Sequence, residues 1–543
     1  MGFRFVLILF LCARSYESQI EYAEDDSTNS TYESYYGDFP DNEENDFFVS
    51  NEITKEYVEP NVSPVRTQRF NEIIADLIHP NVQEHLSSEQ SAGVEDFLRG
   101  RLSKVHNFPT YHEEIMKAKQ LLLTPYINGE RITEGRRAAI VPDLFDQGII
   151  SYSGFVTNYG QNYTNNMFFW YIPAVRGRLR DEEVPVILWL QGGLNVALSS
   201  IPGNQLEDGE NKAFSAWSRK YHMIFMDPVG LGFSFTDKSH PITNGLVMAE
   251  EYCSALRQFF QLFSELSENE FFIAGQTNMG KYVPSIALSI HQHNVKSDRK
   301  INLKGVMIGN GRVDPQYMVY GSYLAEHGLI DTSELPKILQ EDENYVRAVK
   351  DGNWGFVEKY DRVEKIMAHL TKKGISPYDY EASWNSGRLQ MGEIRKLQGL
   401  LHGGSMEFKS YSYDVLKDLR GDIDWYKPVG NIVEELLNHK YRILYYNGAL
   451  HPVYHHSMTQ RFADDLDWEA KNEYRTAERR TWWVKPNFMG GLVKSGGSLS
   501  VALIHGVADR IFKDQPVAAA NLLTKFIHNE PLQYLSAKPL PSA

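Results

Sequence analysis

Phe271-Phe272-Ile273-Ala274-Gly275-Gln276-Thr277-Asn278-Met279-Gly280 is a short apolar run that ends in a glycine-bounded turn, with a helical pattern beginning near Tyr282. Apolar residues without polar alternation mark a strand covered on both faces, and such a strand feeding a helix is the repeating unit of a parallel α/β sheet. Comparable runs recur on either side of it. Met167 to Val175, Pro185 to Leu190 and His222 to Met226 precede it; Leu303 to Gly309, Tyr441 to Tyr446 and Leu499 to Ile504 follow. Helical patterns separate most of these runs and several end in glycine-rich turns, so a largely parallel central sheet with helices on both faces is expected. Between Asp331 and about Tyr426 the pattern changes to charged, helical segments, which reads as an inserted cap.

The chain has 543 residues and a formal net charge of −15. Nucleic-acid binding needs clustered Lys and Arg to displace phosphate counterions, and no such cluster is present. Beyond the N-terminus no apolar run approaches the 18 or so residues of a membrane span. Met1 to Arg4 followed by Phe5 to Ala13 has the short basic and apolar regions of a secretory signal, with cleavage expected near Ser15 to Ser18. Sequons at Asn29, Asn61 and Asn162 fit that route. Removal of a signal containing Cys12 leaves Cys253 alone, expected as a buried thiol in a helix. The stretch from Glu21 to about Pro60 is too acidic and too poor in aliphatic residues to offset ordering entropy, so it reads as a disordered tail. The expected organisation is a signal peptide (1–18), acidic tail (19–65), helical or pro-like region (66–125), first core part (126–331), helical cap (332–426), second core part (427–530) and C-terminal tail (531–543).

Several segments resemble the serine carboxypeptidase family, in the same order along the chain. They are Pro185 to Leu190 running into Gln191-Gly192-Gly193, Phe225-Met226-Asp227-Pro228-Val229-Gly230-Leu231-Gly232-Phe233-Ser234-Phe235, Leu303 to Gly311, and His327-Gly328-Leu329-Ile330-Asp331. Gln191, Lys281 and the lead-in Leu122 to Ile127 look most like the vitellogenic carboxypeptidase-like branch. The resemblance covers roughly residues 110 to 530 and implies an α/β-hydrolase fold with a mostly helical cap, no cofactor, and room for a homodimer.

In that fold the nucleophile sits on a sharp strand-to-helix turn, and its partners follow in the order Ser, Asp, His. By resemblance these positions are Thr277, His451 and Asp509, so all three differ from the family. A triad needs the imidazole between nucleophile and carboxylate, because the imidazole takes the proton near neutral pH and the carboxylate holds its tautomer. The exchange puts a carboxylate next to the nucleophile position, and a group that ionises near pH 4 is a poor base for an alcohol. Thr277 is β-branched and Met279 is bulky where the family has a small residue, so a reshaped elbow is expected.

The resemblance also marks the backbone amides of Gly193 and Asn278 as oxyanion-hole equivalents, with Leu194-Asn195 altering the turn. The carboxylate-binding equivalents are Gln191, Gln276 and Glu207. A glutamine cannot share a proton as the family's acids do. His451, His455 and His456 lie close in sequence, but no Cys, HExxH spacing or carboxylate set accompanies them, so no metal is expected. The sequence thus reads as a secreted, extracellular, non-catalytic carboxypeptidase-like protein that binds a protein or peptide partner or serves structurally. The alternative is an active serine-type carboxypeptidase with rearranged catalytic residues.

Overall fold

The computed structural model describes residues 120–141, 151–160, 162–174, 183–190, 220–237, 244–381, 401–402, 408–409, 412–421 and 424–532. The expected signal, acidic tail and most of the 66–125 region lie outside the described residues, as do Asn29, Asn61, Gln191, Gly193 and Glu207.

Among the described residues, twelve strands form one sheet. They are β1 (Ile140–Val141), β2 (Ser151–Tyr159), β3 (Thr164–Ile172), β4 (Val186–Leu190), β5 (His222–Met226), β6 (Phe235–Thr236), β7 (Phe271–Gln276), β8 (Leu303–Gly309), β9 (Arg442–Gly448), β10 (Arg480–Lys485), β11 (Phe488–Gly496) and β12 (Leu499–Ile504). Their order is β1-β2-β3-β5-β4-β7-β8-β9-β12-β11-β10, with β6 on β3. The run β5-β4-β7-β8-β9-β12 is parallel throughout, and antiparallel pairs flank it on both sides. The expected largely parallel α/β sheet is therefore present.

Side-chain alternation explains why the central strands read as unbroken apolar runs. On β4, Val186, Leu188 and Leu190 join one core while Ile187 and Trp189 join a second. On β7, Phe271 and Ile273 face the first core, and Phe272 and Ala274 the second. The helices Gly245–Leu262, Met279–Lys296 and Gly430–Asn438 pack residues such as Phe259, Ile286 and Val433 into the first core. The helix Pro516–Ile527 covers the second through Ala519, Leu522 and Phe526. A strand buried on both faces has no polar positions, so it loses the period of two. Cys253 is a buried free thiol on the helix Gly245–Leu262, and burial raises its pKa. Among the described residues no helix is long and apolar enough to cross a membrane.

Between β8 and β9 the described elements are helical, including Leu335–Lys350, Trp354–Lys359 and Arg362–Lys372. The loop leaving β8 is tied to the far end of this insertion by Asp314, whose carboxylate accepts from the amides of Val429 and Gly430 at the start of the helix Gly430–Asn438. Asp314 is buried, and burial pushes its pKa up to about 6 although those amides pull it down. Its carboxyl therefore takes up a proton on folding between its unfolded value near 4 and about pH 6. The stabilisation this supplies is complete below pH 4 and is lost as pH rises through 6, amounting to at most about 3 kcal/mol. Asp314→Asn, which keeps an acceptor for the amides, is expected to flatten stability between pH 4 and 6.5. Urea unfolding of both proteins across that range tests this, and parallel profiles would contradict it.

Candidate active site

Thr277, His451 and Asp509 all lie in turns at the carboxyl ends of parallel strands: β7, β9 and β12 respectively. Such turns are the usual ligand-facing positions of an open parallel sheet. Thr277 has φ +48°, a left-handed conformation that strains a β-branched residue. It is held there from both sides. Its N–H donates to the Gly309 carbonyl (3.0 Å), and its own carbonyl accepts from Gly280 (3.0 Å) and Arg312 (2.8 Å).

The helix starts directly at Met279, not near Tyr282. Met279 is fully buried and turns into the first core beneath the strand, so its bulk does not occupy the turn. Gly280 explains the tightness: a Cβ there would lie 2.6 Å from the Arg312 carbonyl oxygen.

His451 is completely buried. Its Nδ1 accepts from the backbone amides of Val453 (3.3 Å) and Tyr454 (3.2 Å), which makes Nδ1 the bare nitrogen and places the proton on Nε2. Nε2 lies 3.6 Å from Asp509 Oδ1, with the Asp509 side chain 30% exposed. The structure thus brings the His451 imidazole and the Asp509 carboxylate face to face. Neither ring nitrogen makes a hydrogen bond to Thr277. Gln276, at the end of β7, is buried. Asn278 accepts at Oδ1 from the Tyr454 hydroxyl (2.8 Å), linking the elbow to the His451 turn. Asn162 is exposed in the turn between β2 and β3.

The nearby histidines have structural roles. His455 is buried and stacks on Tyr323 with ring centroids 3.9 Å apart. Its nitrogens are paired with the Val319 carbonyl (3.2 Å) and the Ser457 hydroxyl (2.7 Å), and burial holds its pKa well below the usual imidazole value. His505 ends up half-exposed just after β12.

Asn310 is a site residue that sequence reasoning passed over although it stands between glycines in the Leu303 to Gly311 motif. It is buried, with φ +42°. Its side-chain amide donates to the Ala508 carbonyl (3.0 Å), its Oδ1 accepts from Gly448 N–H (2.9 Å), and its N–H donates to Tyr446 O (2.8 Å). One residue therefore fastens the strand ends carrying His451 and Asp509. The approach is close, since a Cβ on Gly448 would lie 2.2 Å from the Ala508 carbonyl oxygen.

The serine carboxypeptidase family model matches residues 145–397 and 389–529. This chain belongs to the serine carboxypeptidase family. The carboxypeptidase-family chain is 32% identical over 452 residues to the venom serine carboxypeptidase of Apis mellifera, covering 78% of this chain and 93% of that protein. It is 33% identical over 438 residues to the vitellogenic carboxypeptidase of Aedes aegypti (75% and 90% covered). It is 31% identical over 443 residues to the probable serine carboxypeptidase CPVL of Homo sapiens (76% and 90%). Among solved structures, the prohormone-processing carboxypeptidase Kex1Δp of Saccharomyces cerevisiae superposes with a TM-score of 0.61 at 18% identity, covering 73% of this chain and 96% of that one. The serine carboxypeptidase chain accordingly has the α/β-hydrolase fold.

Proposed function

We propose that this chain is a secreted carboxypeptidase-like protein in which Thr277, His451 and Asp509 stand at the triad positions and perform no hydrolysis, the scaffold serving as an extracellular binding or structural component. The observation that carries this reading is the commitment of the only imidazole at these positions. His451 Nδ1 is engaged by two backbone amides and Nε2 is turned toward Asp509. The Nδ1 lone pair of His451 is taken by those amides, its Nε2 carries the ring proton, and the group at the base position is a carboxylate. The signal-like N-terminus and the similarity to a venom protein support an extracellular location. The partner is a protein or peptide.

The expected result is no release of C-terminal residues from blocked dipeptides between pH 4 and 8, with rates equal to those of a Thr277→Ala control. Turnover above that control would overturn the reading. The left-handed elbow retained at Thr277 favours a second reading, a working hydrolase with rearranged residues. Covalent labelling of Thr277 by a fluorophosphonate would establish it, because such probes report an activated nucleophile.

A further inference from the structure

Where β2 turns into β3, the Gly160 N–H donates to the Tyr163 carbonyl (2.9 Å). The two residues after Asn162 are tied to neighbouring elements. The Tyr163 hydroxyl donates to Glu251 Oε1 (3.4 Å), and its ring lies across Gly160, where a Cβ would come within 2.3 Å of it. The Thr164 amide and hydroxyl both donate to the Asp237 carboxylate, at 2.7 and 2.6 Å. Asn162 is exposed, and among the described residues its side chain has no hydrogen-bond partner.

Tyr159 is the residue of this hairpin that packing does not explain. The other residues of β2 are buried or half-buried, yet Tyr159 is left 67% exposed, and among the described residues its ring stacks on no other. In the hairpin register it stands directly opposite Thr164, so the two side chains share one face. An exposed aromatic ring therefore sits three positions before an exposed Asn and across the strand from the Thr two positions after it. Asn162-Tyr163-Thr164 is an acceptor triplet for an N-linked sugar. The C–H face of an N-acetylglucosamine is apolar and electropositive, which suits the negative face of an aromatic ring.

We infer that Asn162 carries an N-linked glycan whose first sugar packs on Tyr159 and braces the hairpin. The inference rests on the secretory route proposed above. In the transfer, Asn162 Nδ2 bonds to C1 of an N-acetylglucosamine carried on a polyprenyl diphosphate. The C1–O bond to the diphosphate breaks, the lipid diphosphate leaves with the electron pair, and the amide gives up a proton. The Thr164 hydroxyl of the acceptor triplet is bonded to Asp237 in the folded chain, so transfer precedes closure of the hairpin on Asp237.

Expression of the full chain in insect cells, with residues 1–18 replaced by the signal of a well-secreted protein, tests the site. Peptide mass spectrometry is expected to find the sugar on most copies of Asn162. Asn162→Gln is expected to fold, since the side chain is exposed, and to raise amide exchange over residues 159–164 by ~3-fold. In a Tyr159→Ala background the same change is expected to make no difference, because the ring that holds the sugar is gone. Unmodified Asn162 in the secreted chain, unaltered exchange in Asn162→Gln, or a ~3-fold effect that survives in the Tyr159→Ala background would each overturn the inference. A parallel culture of the chain with its own N-terminus separates the two readings: retention there overturns the secretory route, while the first culture still decides the site.

Discussion

Exchanging three side chains, Thr277→Ser, His451→Asp and Asp509→His, is expected to give this chain esterase activity at least ~100-fold above that of the unaltered protein, in line with the 10²–10⁴-fold that a positioned base contributes. The frame for it is in place. The elbow already holds residue 277 in the left-handed conformation, so a serine there would be presented as the family's nucleophile is. A carboxylate at position 451 inherits the two amide donors now engaged by Nδ1, and an imidazole at 509 inherits the 3.6 Å approach between these side chains. The carboxylate then fixes the tautomer and the imidazole faces the hydroxyl, the order that acyl transfer requires. Thr277→Ser alone is expected to restore nothing, because Asp509 would remain at the base position. Hydrolysis of a p-nitrophenyl ester, with fluorophosphonate labelling at residue 277, measures both. A triple variant that is folded yet no faster than the parent would show that these positions do not form the site.

Asn310→Ala is expected to lower stability by about 3–7 kcal/mol, a large share of what a typical domain has. Two buried backbone groups, Gly448 N–H and Ala508 C=O, lose their partners, at about 1–3 kcal/mol each. Alanine also tolerates φ +42° less well than asparagine, adding about 1 kcal/mol. Asn310→Asp keeps the acceptor and loses the donor, and is expected to fall between. Urea unfolding of the three proteins ranks them; a loss under 1 kcal/mol for alanine would show that the turns are held by other bonds.

The central sheet was readable because its strands are buried on both faces. His222 to Met226, Leu303 to Gly309 and Leu499 to Ile504 were each placed to the residue. β3 was placed three residues late, since it opens on Thr164, Asn165 and Asn166; Asn165 is buried with its amide on Glu251 (2.9 Å), a pairing invisible to an apolar pattern. β10 and β11 went unread. They form an antiparallel flank with charged residues, two register shifts and the Gly490-Gly491 pair, so neither alternation nor an unbroken apolar run survives. At the candidate site, the motifs around 277, 451 and 509 mark strand-end turns, and the structure has all three at the carboxyl ends of parallel strands. The role of Asn310 was not legible, because its side-chain partners lie 138 and 198 residues further along the chain. At the elbow, hydrogen bonds at both Thr277 backbone groups hold a β-branched residue in a conformation that residue preference alone disfavours.

The turns at 277, 451 and 509 are fastened largely by main-chain hydrogen bonds and by Asn310. The chemistry and the architecture are therefore carried by different atoms. Replacing a side chain at such a tip removes few of the bonds that hold the tip, so a lineage can lose a reaction without passing through an unfolded intermediate. The same separation means that substitutions at those three tips are read out in chemistry before they are read out in stability.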